Sequence, residues 1–332
     1  MFRIAMISRW HPHARENRYV KQLENIPETQ ITCVWDSDEK RGKEWAEELH
    51  ADFEADLDTL LQRKDVDGIC ITAPTDQHRE IILKAAKAGK HVFTEKALAM
   101  DGREAQEVRK AVKESGIELG VVFPRRANRE YFYAKKLIEE GRFGTISLIR
   151  VRNAVTVNAV FEDHWFKEEP IGGGGALRDL GCHNIDLACW LLGEPDSVSV
   201  CRGFTRGFAV DDTYACSLKF KNGAIAMLDS TFSAPLCGNW YSLEIYGTEM
   251  AFLADTENVT IIRRSNEAEK EIVKINDLPA GYPLPIKQWV DACTKGAENI
   301  CNVDAGVLVN QVLDAAVLAA EQERTVKIKE VL

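Results

Sequence analysis

The feature that most constrains this chain is a rhythm in its N-terminal third. Short apolar, β-branched runs at Arg3–Ser8, Gln30–Asp36, Gly68–Thr72, His91–Thr94 and Glu118–Phe123 alternate with longer amphipathic stretches. The runs show little polar–apolar alternation, which predicts strands buried on both faces of a parallel sheet. The stretches between them read as helices. "DEKRGKEWAEEL" sets Trp45 and Leu49 four apart, and "DQHREIILKAAKAG" ends on Gly89, a natural C-terminal stop. "DGREAQEVRKAVKESG" opens on Asp101, a good N-cap, and stops at Gly116. Repeated βα units of this kind predict a doubly wound Rossmann-type α/β domain over residues 1–123.

Beyond Phe123 the pattern changes. A helix over Arg129–Glu139 ends at Gly141, a long strand begins near Thr145, and "GGGG" at 172–175 opens a helix to about Leu192. Extended segments follow in quick succession: Ser197–Arg202, Asp212–Lys219, Ala224–Phe232, Tyr241–Tyr246 and Val259–Arg263. Asn222-Gly223 between two of them is a strong two-residue hairpin signal. Strands joined by short turns predict a largely antiparallel sheet, so residues 124–332 read as an α+β domain. Ala305–Glu321 reads as a helix that could pack back on the first domain.

At 332 residues the chain is long for one core and ample for two. A net charge of −10 without a basic stripe offers nothing for counterion release, so no nucleic-acid partner is expected. No uninterrupted apolar run reaches membrane-spanning length, and the N-terminus enters a strand directly, so neither a membrane span nor a signal peptide is expected. Nine cysteines without a CxxC pair fit reduced thiols in a cytoplasmic protein.

The first strand should lead into a glycine-rich phosphate turn, where glycines let the backbone approach a pyrophosphate. This chain instead reads "ISRWHPHARENRY", with Ser8, Trp10 and His13 where the three glycines would fall. The span to Asp36 is also longer than the common pattern. Two readings stand. Either a helix start near Ala14–Glu16 still faces the pyrophosphate, with Arg9, His11, His13 or Arg15 replacing backbone contacts, or the dinucleotide site is degenerate. The two histidines alone do not predict a metal, because the loop offers no third ligand nearby.

Asp36 ends the second strand, where an acid can bind a ribose 2′-hydroxyl and disfavour a 2′-phosphate; it could equally be a turn aspartate. NAD is therefore expected over NADP. Ala73, Pro74, Thr75 and His78 lie in a turn that can wrap the cofactor. Glu95 and Lys96 close a buried strand, at the edge where open α/β sheets bind ligands, and a lysine there is costly without a task or a partner. Asp179 and His183 are four apart on one helical face, with Asp186 three further on. His183 reads as a reacting or a satisfied structural histidine. Candidate substrate residues are Arg125, Arg126, His164, Trp165, Asn184 and Tyr241. Arginines suit anionic groups and Trp165 could stack on a sugar face, though Arg126 could also be an ion-pair residue and Trp165 core.

These motifs resemble those of the glucose–fructose oxidoreductase/inositol dehydrogenase/MocA-like (Gfo/Idh/MocA) family. "TEKALA" is similar to its E-K-P-[LIF]-[AS] motif, with Ala97 in place of the proline, and "GGGGALRDLGCHNIDL" to its G-G-G-x-x-x-D-x-G-x-H-x-x-D motif. The resemblance spans nearly the full length. It implies an NAD-dependent dehydrogenase of a sugar or cyclitol with Lys96 as catalytic lysine, Asp179 as its acidic partner and His183 as general acid/base. It also implies a homodimer or homotetramer. Alternatives are an NAD-dependent glycosidase or lyase that oxidises its substrate transiently, and a non-catalytic sensor of the same fold.

Overall fold

The computed structural model describes residues 1–156, 174–234, 240–264 and 269–332. Two compact units are present. The first comprises Met1–Phe123 with Pro283–Val307, the second Pro124–Tyr282 with Leu308–Leu332.

Six strands of the first unit form one parallel sheet: β1 (Phe2–Ile7), β2 (Thr29–Trp35), β3 (Asp52–Phe53), β4 (Gly68–Ile71), β5 (His91–Thr94) and β6 (Leu119–Val121). Their order is β3-β2-β1-β4-β5-β6, so chain direction across the sheet reverses between β1 and β4. That reversal opens a crevice at the carboxyl ends of the two strands, the usual ligand position in such sheets. Ile4, Met6, Ile7, Ile69, Cys70, Ile71, Val92 and Phe93 are all buried. Burial on both faces is why these runs lack alternation in sequence. The two-residue β3 was not foreseen, being too short to show a period.

Residues 283–307 correct the expected boundary, which assigned everything after residue 123 to the second domain. The helix Pro285–Lys295 belongs to the first unit. Its Trp289 is fully buried, edge-on to Phe2 at 5.3 Å and 5.7 Å from Phe93. Gly68 and Gly120 make room for it: a Cβ on either would stand 3.0 Å from the Trp289 ring or Cβ. Covering the apolar sheet outweighs contiguity along the chain, which a linear reading cannot see.

The second unit holds a nine-stranded sheet of β7 (Ile146–Ala154), β8 (Pro195–Gly203), β9 (Thr213–Phe220), β10 (Ile225–Thr231), β11 (Trp240–Gly247), β12 (Met250–Ala254), β13 (Asn258–Arg263), β14 (Glu269–Lys274) and β15 (Val326–Lys327). Its order is β14-β13-β12-β11-β7-β10-β9-β8-β15. Only the β7–β10 pair is parallel. Asn222-Gly223 does turn the β9–β10 hairpin, with Gly223 at φ +91° and its N–H donated to Phe220 O at 3.0 Å. The helix Val303–Gln322 is long and apolar enough to cross a membrane by length and composition, which the sequence reading did not anticipate. Val307, Val309, Val312, Leu313, Ala315 and Ala316 on it are buried within the protein, as in a core helix. No disulfide joins the described cysteines.

Candidate active site

The glycine-free turn after β1 is held by its own polar atoms. Ser8 takes a left-handed conformation at φ +67°, one that glycine usually supplies, and donates its N–H to Trp35 O at 2.7 Å. His11 donates its N–H to Thr72 O at 3.1 Å, fixing the turn over the end of β4. His11 then caps a one-turn helix, Pro12–Arg15, with Pro12 at its start. Arg9 is drawn away to Glu48 at 2.7 Å, and Arg15 is exposed. Ser8 Oγ and Trp10 Nε1 are buried without a hydrogen-bond partner. Two orphaned donors inside the phosphate turn suit an incoming anion, so the residues present fit a dinucleotide.

Asp36 sits where the sequence places it, yet its carboxylate is already engaged. It accepts the Arg9 N–H at 2.7 Å, the Asp38 N–H at 2.9 Å and both arms of Arg41, Nε at 2.8 Å and Nη2 at 2.5 Å. Arg41 also lies over the Trp10 ring at 5.1 Å. The sequence reading missed this clamp, though Arg41 stands only five residues on.

His11 and His13 turn inward onto Glu95. Glu95 Oε1 lies 2.7 Å from His13 Nδ1 and 3.4 Å from His11 Nδ1, and the Tyr19 hydroxyl donates to the same oxygen. The third group that the loop lacks is thus brought from the end of β5, 82 residues from His13. Burial alone would raise the Glu95 carboxyl, but the charges of His11, His13 and Lys96 hold it well below the usual carboxylate range. Burial and the neighbouring carboxylate push the Tyr19 hydroxyl well up.

Lys96 follows, 9% exposed, its N–H 3.2 Å from Glu95 Oε2. Its peptide bond to Ala97 is cis. Ala73 and Thr75 are buried in the turn after β4, and Pro74 precedes the helix Thr75–Lys87. His78 departs from its expected cofactor role. It is fully buried, and its ring nitrogens lie 2.9 Å from Ala97 O and 3.0 Å from Ala73 O. Burial lowers its basicity despite those carbonyls. His78 is a positioning residue that ties the turn after β4 to the turn after Lys96.

In the second unit, Asp179 ends the short helix Ala176–Asp179 and His183 lies in the first turn of Gly181–Leu192. The two helices break at Leu180 rather than running as one. Gly175 precedes them where a Cβ would stand 1.9 Å from Asp211 O, so no side chain fits. Arg126 pairs with Asp186 at 2.6 Å, both buried, the ion-pair role that the sequence left open beside substrate binding. Arg125 donates to Asn184 Oδ1 at 2.5 Å, lies over the Tyr241 ring at 5.1 Å, and keeps a buried Nη2 without a hydrogen-bond partner. Asn184 Nδ2 also reaches Tyr214 OH at 2.7 Å, Ser230 Oγ at 3.0 Å and Asp229 O at 3.1 Å. Both Nδ2 hydrogens have acceptors within reach, so the amide is fixed and its Oδ1 holds Arg125 in place. Tyr214 and Ser230 gave no signal in sequence beyond strand alternation. His164 and Trp165 lie outside the described residues.

A doubly wound nucleotide-type unit with an acid–lysine pair closing β5, followed by a unit built on a mixed sheet, defines a two-unit dinucleotide-dependent oxidoreductase. Sequence profiles agree: the oxidoreductase family's NAD-binding Rossmann fold matches residues 13–123, and its C-terminal alpha/beta domain matches residues 135–328. The chain belongs to the Gfo/Idh/MocA oxidoreductase family. The first match begins beyond Pro12, after most of the altered turn. Among relatives, inositol 2-dehydrogenase of Rhizobium meliloti is 25% identical, covering 82% of this chain and 84% of its own. The 2,7-anhydro-N-acetylneuraminate hydratase of Escherichia coli is 28% identical, covering 91% of each. The solved structure of levoglucosan dehydrogenase with NADH and L-sorbose shares the fold, with a TM-score of 0.87, 24% identity and 99% of both chains covered.

Proposed function

We propose that this oxidoreductase moves hydride between NAD and a carbinol carbon of a sugar, sugar derivative or cyclitol, with Lys96 and His183 acting at the reacting carbon. The observation that carries the reading is Lys96, buried at the carboxyl end of β5 in a doubly wound sheet. NAD, when bound, supplies the hydride acceptor. Ser8 Oγ and Trp10 Nε1 would donate to its phosphates, and Asp36, clamped by Arg41, would sit at the adenosine ribose. Arg125 and Tyr241 would contact the substrate.

In the oxidative direction His183 takes the hydroxyl proton as the carbon–oxygen double bond forms and the C–H pair leaves as hydride. A neutral imidazole suits this near pH 7, its ordinary pKa being about 6.5. The Lys96 ammonium donates to the same oxygen and stabilises developing alkoxide charge, and Asp179 keeps that pair oriented. In reduction His183 returns the proton.

Calorimetric titration with NAD and NADH, followed by a polyol and sugar screen for NADH formation, tests the reading. Micromolar or tighter binding with turnover of one carbohydrate class is expected. Well-folded protein that binds neither nucleotide sinks it. The relation to a hydratase favours one second reading, in which oxidation is transient and NAD stays held. Product without net NADH would select that outcome.

A further inference from the structure

We propose that His11, His13 and Glu95 form a binding site for one divalent transition-metal ion of the zinc class. Their candidate ligand atoms all lie within 4.8 Å of one another. Zinc bonds to nitrogen and carboxylate oxygen at about 2.0–2.1 Å, which sets tetrahedral ligands about 3.4 Å apart. The His11–Glu95 spacing of 3.4 Å already matches that value, and the His13–Glu95 spacing of 2.7 Å is a direct hydrogen bond that an ion would open by about 0.7 Å. Two imidazoles and one carboxylate suit zinc, cobalt or nickel, whereas calcium and magnesium favour all-oxygen shells.

The surroundings hold the set in place. Pro12 fixes the backbone between the histidines. The Lys96 N–H lies 3.2 Å from the other carboxylate oxygen. Outer contacts of this kind orient metal ligands. Three protein ligands leave a fourth position open, and an ion here would tie the glycine-free turn to the end of β5. The inference does not depend on hydride transfer.

The test uses chelator-stripped, full-length protein, titrated with Zn²⁺ by calorimetry and with Co²⁺ by visible absorption. One equivalent bound at micromolar affinity or tighter, four-coordinate Co²⁺ bands and a higher melting temperature with Zn²⁺ are expected. His11→Gln and His13→Gln should each weaken binding on the order of a hundredfold, while His50→Gln, on a turn elsewhere, should leave it unchanged. The wild-type Co²⁺ spectrum needs no variant, so a poorly folding substitution does not blunt the test. Absence of stoichiometric binding would mean that the cluster is an ion pair, and the proposal fails. Binding that survives both histidine substitutions also overturns it.

Discussion

Burying an ammonium at the end of β5 is expensive unless its charge is used, which makes Lys96 the residue to test first. Lys96→Ala should lower turnover by about 10²–10⁴-fold with NAD affinity, read by calorimetry, nearly unchanged; a fully active variant would end the assignment. His183→Ala should remove the acid limb of the pH–rate profile, and an unchanged limb would move the base elsewhere. Asp36 poses a different question, because Arg41 and two backbone N–H groups already occupy its carboxylate. Asp36→Ala releases Arg41 beside the ribose position, so NAD should weaken relative to NADP in competitive binding. An unchanged ratio would mean that another group reads the ribose. Which residues stand at the carboxyl edge of the sheet was legible wherever position within an element carries the meaning: Lys96 and Asp36 both follow buried strands. Partners were not legible. The contact of Glu95 with His13 joins residues 82 apart, and the His78 ring bridges two turns 24 residues apart at Ala73 and Ala97. No local spacing encodes either.

At the scale of elements, two junctions decide whether the proposed catalytic segments are presented at all. Gly175 starts the helix Ala176–Asp179 against Asp211, which accepts the Ala176 N–H at 2.8 Å and, through Oδ2, the Leu177 N–H at 2.7 Å. Gly175→Ala would drive a methyl into Asp211 O, so a loss of about 3 kcal/mol or more is expected in urea unfolding, from overpacking and broken caps together. An unchanged midpoint would show that the segment can shift freely. The second junction ties β1 to β4, where Arg3 reaches both Asp67 oxygens at 2.8 and 2.6 Å and donates its N–H at 2.9 Å. The Arg3 guanidinium holds the Asp67 carboxyl below its ordinary value, against the opposing effect of burial. A carboxyl depressed on folding contributes stability above its unfolded pKa, about 4, and loses it as pH falls through the folded value. Asp67→Asn should therefore melt lower than the parent at pH 7, with the gap closing below about pH 4. Both groups are about one-third exposed, so solvent screening keeps the effect small. The strands β1, β2, β4, β5 and β6 were readable because continuous apolar runs bounded by turns have no other economical fold. β3 and β14 were not, since two residues or an edge strand of mostly exposed charges carry no periodic signal.

For the molecule as a whole, the α/β rhythm and the later strand-rich half foretold two folds in one chain, while the return of residues 283–307 to the first unit had to be seen. The nine-stranded sheet raises the last question. Along β10 the residues alternate strictly, with Ala226 and Leu228 buried and Ile225 and Met227 about 40% exposed. β7 carries Arg150 and Arg152 on the same side as those exposed residues, and Arg152 pairs with Asp229 at 2.8 Å. Trp240, 43% exposed, stands on that side of β11. A face mixing large apolar side chains with paired charges has the composition of a protein interface, apolar at its centre and polar around it. The family resemblance implies a homodimer or homotetramer, and this face is the natural place for a second copy. Sedimentation at micromolar concentration should accordingly give a mass at least twice that of the 37.2 kDa chain. Met227→Glu should shift it toward the monomer with the melting profile of each unit retained, because the side chain is exposed within its own chain. A wild-type monomer would reject the assembly, and a Met227→Glu oligomer of unchanged mass would move the interface to another surface.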